Sequence, residues 1–162
     1  MVRGADDDRF LLCRVGSRIV ALGVRDVWET MRPLPIEPLS GAPSFVLGLA
    51  IVRGFAIPVV DADRLLGSSV SFSTTMISPS PARFVSLKLG VRSAVLAVDA
   101  VLEIRALPAA VLASIPPLLR EAGADLVSVV GALDARLLLV LEAARLVPDS
   151  VWSAIDFSKG SP

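Results

Sequence analysis

The 162 residues are enough for one compact domain or two small lobes with a shared core, and their 16 basic and 16 acidic side chains cancel to a net charge of zero. No basic field exists to hold a phosphate backbone, which argues against nucleic acid as a partner. The chain is apolar, 54% hydrophobic with a mean hydropathy of +0.71, yet no unbroken run approaches the roughly 18 to 20 residues that span a bilayer.

Residues 1–8 read as a loose lead-in, and the acids Asp6, Asp7 and Asp8 stand where a signal peptide would place its hydrophobic region, so a cytoplasmic protein is expected. Two strand-like runs, Phe10 to Val15 and Ile19 to Val24, flank a hairpin connection at Gly16-Ser17-Arg18. Cys13, the single cysteine, sits in the first run and reads as a small buried hydrophobe. Val24, Val27, Trp28 and Met31 fall on one apolar helical face, although the valine content also allows a strand. Four prolines between Arg32 and Pro43 then forbid a helix. The runs Phe45 to Val52 and Phe55 to Val60 meet at Arg53-Gly54, a tight turn in which Gly54 supplies positive φ. Arg53 is the only charge between Phe45 and Val60, and such a cation is costly to bury unless something pairs with it. Asp61 to Leu66 reads as a short helical turn capped by the Asp61 carboxylate. Residues 68–81, with six serines, two threonines and two prolines, form the candidate linker.

After the linker the chain repeats itself. Arg9 to Glu29 lies over Arg83 to Glu103 at a constant offset of 74, matching Gly16 with Gly90, Arg18 with Arg92, Val27 with Val101 and Glu29 with Glu103. Val59 to Leu65 lies over Val140 to Leu146 at an offset of 81, and Gly131 falls in the second copy's strand pair as Gly48 does in the first. Pro108, Pro116 and Pro117 take the place of the first copy's proline-rich loop, and a charged turn at Asp134-Ala135-Arg136 joins the last two runs. About five short strands per copy are too few to bury both faces of an open sheet, so each copy is expected to close on itself as a small barrel. The expectation is a mainly β fold of two pseudo-repeated five-stranded barrels with short helices. It is one domain over 9–147, with lobe one at about 9–67 and lobe two at about 82–147. Residues 148–162 read as a C-terminal helix, with Val151, Trp152 and Ile155 on one face, and a frayed tail from Ser158.

Histidine and tyrosine are absent, which removes the commonest general base and the commonest nitrogen ligand for metals. One thiolate with carboxylates is not a usual zinc set, and no glycine-rich phosphate cradle occurs, so no metal or cofactor is expected. Asp61 with Asp63 could serve as an acid and base, but a helix cap and a solvated face account for them more simply. An apolar groove with an arginine at its rim suits an amphipathic helix from another protein.

At these residues the chain resembles the CheW coupling proteins of bacterial chemosensory arrays, over about Phe10 to Val147. Gly41-Ala42-Pro43, Gly48, Arg53-Gly54, Pro58-Val59-Val60-Asp61, Leu65-Leu66-Gly67, Val98-Asp99-Ala100-Val101 and Gly131 come in that family's order and spacing. The resemblance implies two intertwined SH3-like barrels, the CheW-like fold, and a scaffold without enzymatic activity. It implies two partners: the cytoplasmic tip of methyl-accepting chemoreceptors and the regulatory domain of a CheA-type histidine kinase. It also implies a cytoplasmic protein held at membrane-associated arrays through these partners, with no membrane insertion of its own. Carried residue by residue, it places Arg53, Val27, Glu29, Val52, Ala94 and Val95 along a receptor-binding groove. Read from the residues, Val27 and Val95 fit a core equally well, and Glu29 is a surface charge that pairs Arg53 across the groove mouth. Gly41, Gly48 and Gly54 are backbone devices, and no kinase-facing residue is carried over. Ile51-Val52 replace the family's usual Asn-Leu, Val95 its frequent glycine and Glu142 its usual aspartate, departures that touch the partner more than the fold. The alternatives are a CheW-like adaptor for a non-motility chemosensory pathway, a relative of the kinase regulatory domain, and a small β-barrel enzyme using carboxylates.

Overall fold

The computed structural model describes residues 9–67, 83–107, 112–114, 127–133 and 136–159. The expected lead-in, linker and final tail residues lie outside them, as do Pro108, Pro116, Pro117 and the Asp134-Ala135 part of the last turn. In chain order the strands are β1 (Arg9–Val15), β2 (Arg18–Gly23), β3 (Val27–Met31), β4 (Val46–Val52), β5 (Phe55–Asp61), β6 (Arg83–Leu89), β7 (Arg92–Val98), β8 (Ala100–Ala106), β9 (Leu112–Ser114), β10 (Val127–Leu133) and β11 (Arg136–Leu141). Helix α1 (Ala62–Leu65) follows β5 and α2 (Asp149–Lys159) ends the described chain. Of the two readings open for residues 24–31, the strand prevails. A 3-10 turn at Val24–Asp26 leads directly into β3, whose Val, Trp and Thr side chains suit a pleated surface and whose backbone pairs with β6.

Two sheets form, one in the order β8-β1-β2-β11-β10-β9 and the other β3-β6-β7-β5-β4. Each takes the first hairpin of one sequence copy and the later strands of the other. Segments 9–67 and 82–147 therefore both feed both sheets, and the sequence halves are not the spatial units. The interleaving obeys the offsets read from the sequence. Val59 opposes Val95 in the parallel β5–β7 pair, and the corresponding Val140 opposes Ala21 in the parallel β11–β2 pair. The bulge between Val46 and Gly48 recurs between Val127 and Val129, and that between Val27 and Glu29 recurs opposite Leu12 and Cys13. Even the three-residue β9 has a counterpart, the single bridge from Glu37 to Leu49 at the outer edge of β4. Pro58 is tolerated within β5 because pairing with β7 begins only at Val59.

Strand alternation sorts the apolar side chains into three clusters. Leu11, Cys13, Val15, Val20 and Leu22 meet Val60, Val85, Leu87, Ala94, Leu96 and Val98 in a core between the sheets. Leu12, Ile19, Ala21, Leu138 and Val140 fill the interior of the first sheet, and Val52, Ile57, Val59, Phe84, Val95 and Ala97 that of the second. Each sheet thus curls round its own small core as a barrel, and its inner strands are covered on both faces. Burial pushes the Cys13 thiol up to about 12, so it stays protonated and serves as a packing group.

Short polar ties fix the turns and the start of α1. The Gly16 N–H donates to Asp99 Oδ2 at 2.7 Å, anchoring the first hairpin turn to the start of β8. The Asp61 carboxylate caps α1, accepting from the Asp63 N–H at 3.0 Å, while burial raises its pKa. Asp63 pairs with Arg18 of β2 at 3.3 Å. Both carboxylates of the candidate acid–base pair are thereby engaged in structure. Val151 and Ile155 of α2 are buried in the central core with Trp152 packed against it, and the helix continues through Ser158 and Lys159, past the expected start of the frayed tail.

Candidate partner-binding groove

The site is built on the turn between β4 and β5. Arg53 and Gly54 both take positive φ, 52° and 86°, the left-handed pair whose twist matches a two-residue hairpin. Glycine adopts this freely; arginine does so at a conformational cost. The gain is direction, because β4 is one edge of the second sheet and β3 the other. Curling brings these edges together, and Arg53 meets Glu29 of β3 in a fork-on-fork pair. Its Nε donates to Glu29 Oε1 and its Nη2 to Oε2, both at 2.9 Å. The hydrogen bonds from Arg53 hold the Glu29 carboxyl below its ordinary range, and those to Glu29 raise the guanidinium above its own. The pair clasps the barrel's open edges in solvent, with the Arg53 side chain 75% exposed.

Beside the clasp lies a hollow of about 240 Å³, lined by Trp28, Glu29, Val52, Arg53, Phe55, Ile57, Ser86 and Ser93. It is open for a reason visible in the repeat. Ser86 and Ser93 occupy the positions that Leu12 and Ile19 hold in the other barrel, where both side chains are buried and fill the interior. Two serines in place of these branched groups leave space at the mouth. The bulge beside Glu29 disrupts the ladder at Trp28, which is 62% exposed and has the Lys88 ammonium 5.0 Å above its ring.

Three of the six residues assigned to the groove from sequence come together there: Arg53, Glu29 and Val52. Val27 instead packs, half-buried, against the central core. Ala94 belongs to that core too, and Val95 lies in the barrel interior, at 1% and 0% exposure. The cause is that from Ala94 onward one face of β7 looks into the core between the sheets, with Ala94, Leu96 and Val98, and the other into the barrel interior, with Val95 and Ala97. Sequence reasoning missed Trp28, Phe55, Ile57, Ser86 and Ser93. A strand reading of 27–31 would have separated Trp28 from Val27, and the repeat alignment already set the serines against Leu12 and Ile19. Gly41 and Gly48 also have positive φ, 78° and 143°. A Cβ on Gly48 would overlap the Glu37 carbonyl, where Glu37 and Leu49 exchange two backbone hydrogen bonds of 2.8 Å.

The model of the CheW-like domain matches residues 9–151. The chain belongs to the CheW-like domain family. This CheW-like chain is 33% identical over 119 residues to Protein FrzA of Myxococcus xanthus, spanning 74% of its own length and 71% of the relative's. Among solved structures, the scaffolding protein TtCheW from Thermoanaerobacter tengcongensis aligns with a TM-score of 0.67, over 84% of this chain and 89% of that one. At 20% identity that likeness speaks for the fold, two SH3-like barrels. Among the described residues of the CheW-like chain, no three His, Cys, Asp or Glu side chains gather as a metal site needs, and Glu29 is the sole carboxylate lining the groove.

Proposed function

We propose that the protein is a non-enzymatic adaptor that couples chemoreceptors to a CheA-type histidine kinase in a bacterial chemosensory array. Membership of the CheW-like family supports this reading, and one observation carries it: an apolar hollow at a barrel mouth, flanked by exposed Trp28 and Phe55 and clasped by Arg53 and Glu29. Large aromatic side chains left in water beside an ion pair suit a helix-binding surface and not a core. On this reading the cytoplasmic tip of a methyl-accepting receptor docks in the groove, and the kinase regulatory domain packs against another surface. The protein then works in the cytoplasm and reaches the membrane through its partners. No helix among the described residues is long and apolar enough to cross one.

The test is Arg53→Glu, which sets a carboxylate against Glu29 and reverses the charge at the groove. The variant keeps its fold by circular dichroism and loses most binding to the cognate receptor tip in a pull-down. Undiminished binding by a folded Arg53→Glu protein rejects the site.

A further inference from the structure

The two barrels close their edges differently. In the second sheet the edge strand β3 alternates half-buried and exposed residues, and Glu29 ties it to Arg53. Its counterpart in the first sheet is β8, which among the described strands pairs only with β1. There the alternation is lost: Leu102, Glu103 and Ile104 are exposed in succession, the two apolar residues at 46% and 49%. The repeat supplies the reason. Glu103 corresponds to Glu29, but the offset of 81 sets Asp134 where Arg53 stands, so no cation occupies the clasp position. Glu103 pairs instead with Arg105, two residues along its own strand. An edge strand with apolar side chains in water and no such clasp is open to pairing with another strand.

We infer that this other strand is the β8 of a second copy, laid antiparallel about a two-fold axis at Ile104, so that the first sheets of two molecules join edge to edge. The strand is its own complement in that register. Ile104 faces Ile104 and each Glu103 faces an Arg105, which sets four alternating charges together on one face of the joined sheet. Every carboxylate already has an arginine in its own strand, so the contact draws on the order of the charges and not on an excess of either sign. That order is selective. Moving the axis one residue either way sets Glu103 against Glu103 or Arg105 against Arg105, which is unfavourable. The bulge opposite Leu12 and Cys13 ends regular pairing just beyond Glu103, so the ladder is short and the dimer weak. The pairing uses the first sheet while the Arg53 groove belongs to the second, so the dimer is a bivalent form of the adaptor.

Sedimentation equilibrium of the full-length protein under reducing conditions, from about 10 µM to about 1 mM, covers the affinity of so short a contact. The wild type shifts reversibly from monomer to dimer across that range. Ile104→Lys, Glu103→Arg and Arg105→Glu alter side chains at the surface, keep their fold by circular dichroism, and each weaken self-association at least about tenfold. An equimolar mixture of Glu103→Arg with Arg105→Glu restores association, because a strand with two arginines then meets one with two glutamates. Misfolded variants could not recover in this way. Oxidation checks the axis: Ile104→Cys gives a disulfide-linked dimer, whereas Glu103→Cys, which faces Arg105, links far less. The native Cys13 is buried and takes no part. A wild type that stays monomeric at about 1 mM overturns the inference. So does a dimer that Ile104→Lys and both charge variants leave within about twofold of wild type, since the second copy then sits on another surface. A mixture of the charge variants no stronger than either alone, or equal linking by Glu103→Cys and Ile104→Cys, overturns it too.

Discussion

Replacing Ser93 by isoleucine should shut the groove while leaving the barrel beneath it standing. Ser93 lines the hollow, and the equivalent place in the other barrel already holds Ile19, buried at 4% exposure, so the fold accepts an isoleucine at this strand position. The side chain added at 93 takes the space into which a partner's anchoring Leu or Phe would insert. Losing such a seat forfeits about 1.5–3 kcal/mol of apolar burial, or roughly a 10- to 150-fold rise in Kd for a receptor tip. The effect on the fold is small by comparison. Overpacking near 1 kcal/mol would move the melting temperature of a chain this size by about 2–4 °C. Titration calorimetry against the receptor tip, with a thermal melt of the same preparation, measures both quantities. Ser93→Ala is the companion variant: it keeps the hollow open and should bind within a few-fold of wild type. Wild-type affinity in a folded Ser93→Ile protein would mean that no partner group enters the hollow. Loss of binding in Ser93→Ala would mean that the hydroxyl and not the space is recognised. Either result refutes the volume argument.

Two further outcomes test the framework around the groove. Gly48→Ala forces a Cβ against the Glu37 carbonyl, breaking the two-hydrogen-bond tie between the proline-rich loop and β4 at a φ of 143°. Lost hydrogen bonds and backbone strain together cost about 2–5 kcal/mol, a fall of roughly 5–15 °C in melting temperature. Gly41→Ala, whose Cβ meets nothing within 4 Å, should fall by much less, and equal losses in the two variants would discard the overlap explanation. The Glu29 carboxyl should titrate below an ordinary glutamate by carbon-detected NMR, and return upward in Arg53→Ala. Because its folded pKa is depressed, the stabilisation from the clasp is present above the ordinary glutamate range and is lost as pH falls through the lowered value. An unshifted midpoint in the intact protein would show that the pair does not persist in solution.

Much of the architecture was legible because local chemistry wrote it. Gly16 and Gly90 mark equivalent hairpin turns, Asp61 does cap its helix, and the offsets of 74 and 81 reappear as matched registers and matched bulges. The same repeat could not say which copy's hairpin pairs with which copy's later strands. A duplicated strand offers the same edge to either partner, so the choice is made by tertiary contacts and not by local pattern. The groove was half legible for a related reason. Arg53 stood out as a lone charge and Glu29 as its counterpart, but Ala94 and Val95 lie on a strand covered on both sides, where alternation names no outward face. Trp28 was hidden because eight residues fit a 3.6-residue period as readily as a turn followed by a strand.

With the hairpins crossed, the strand order is the one that two like subunits exchanging their first hairpins would give, here realised within one chain. Two separate identical chains would have had to carry the same mouth on both barrels. Two copies within one chain carry no such obligation, and here they differ: Leu12 and Ile19 fill one barrel, while Ser86 and Ser93 line a hollow at the other.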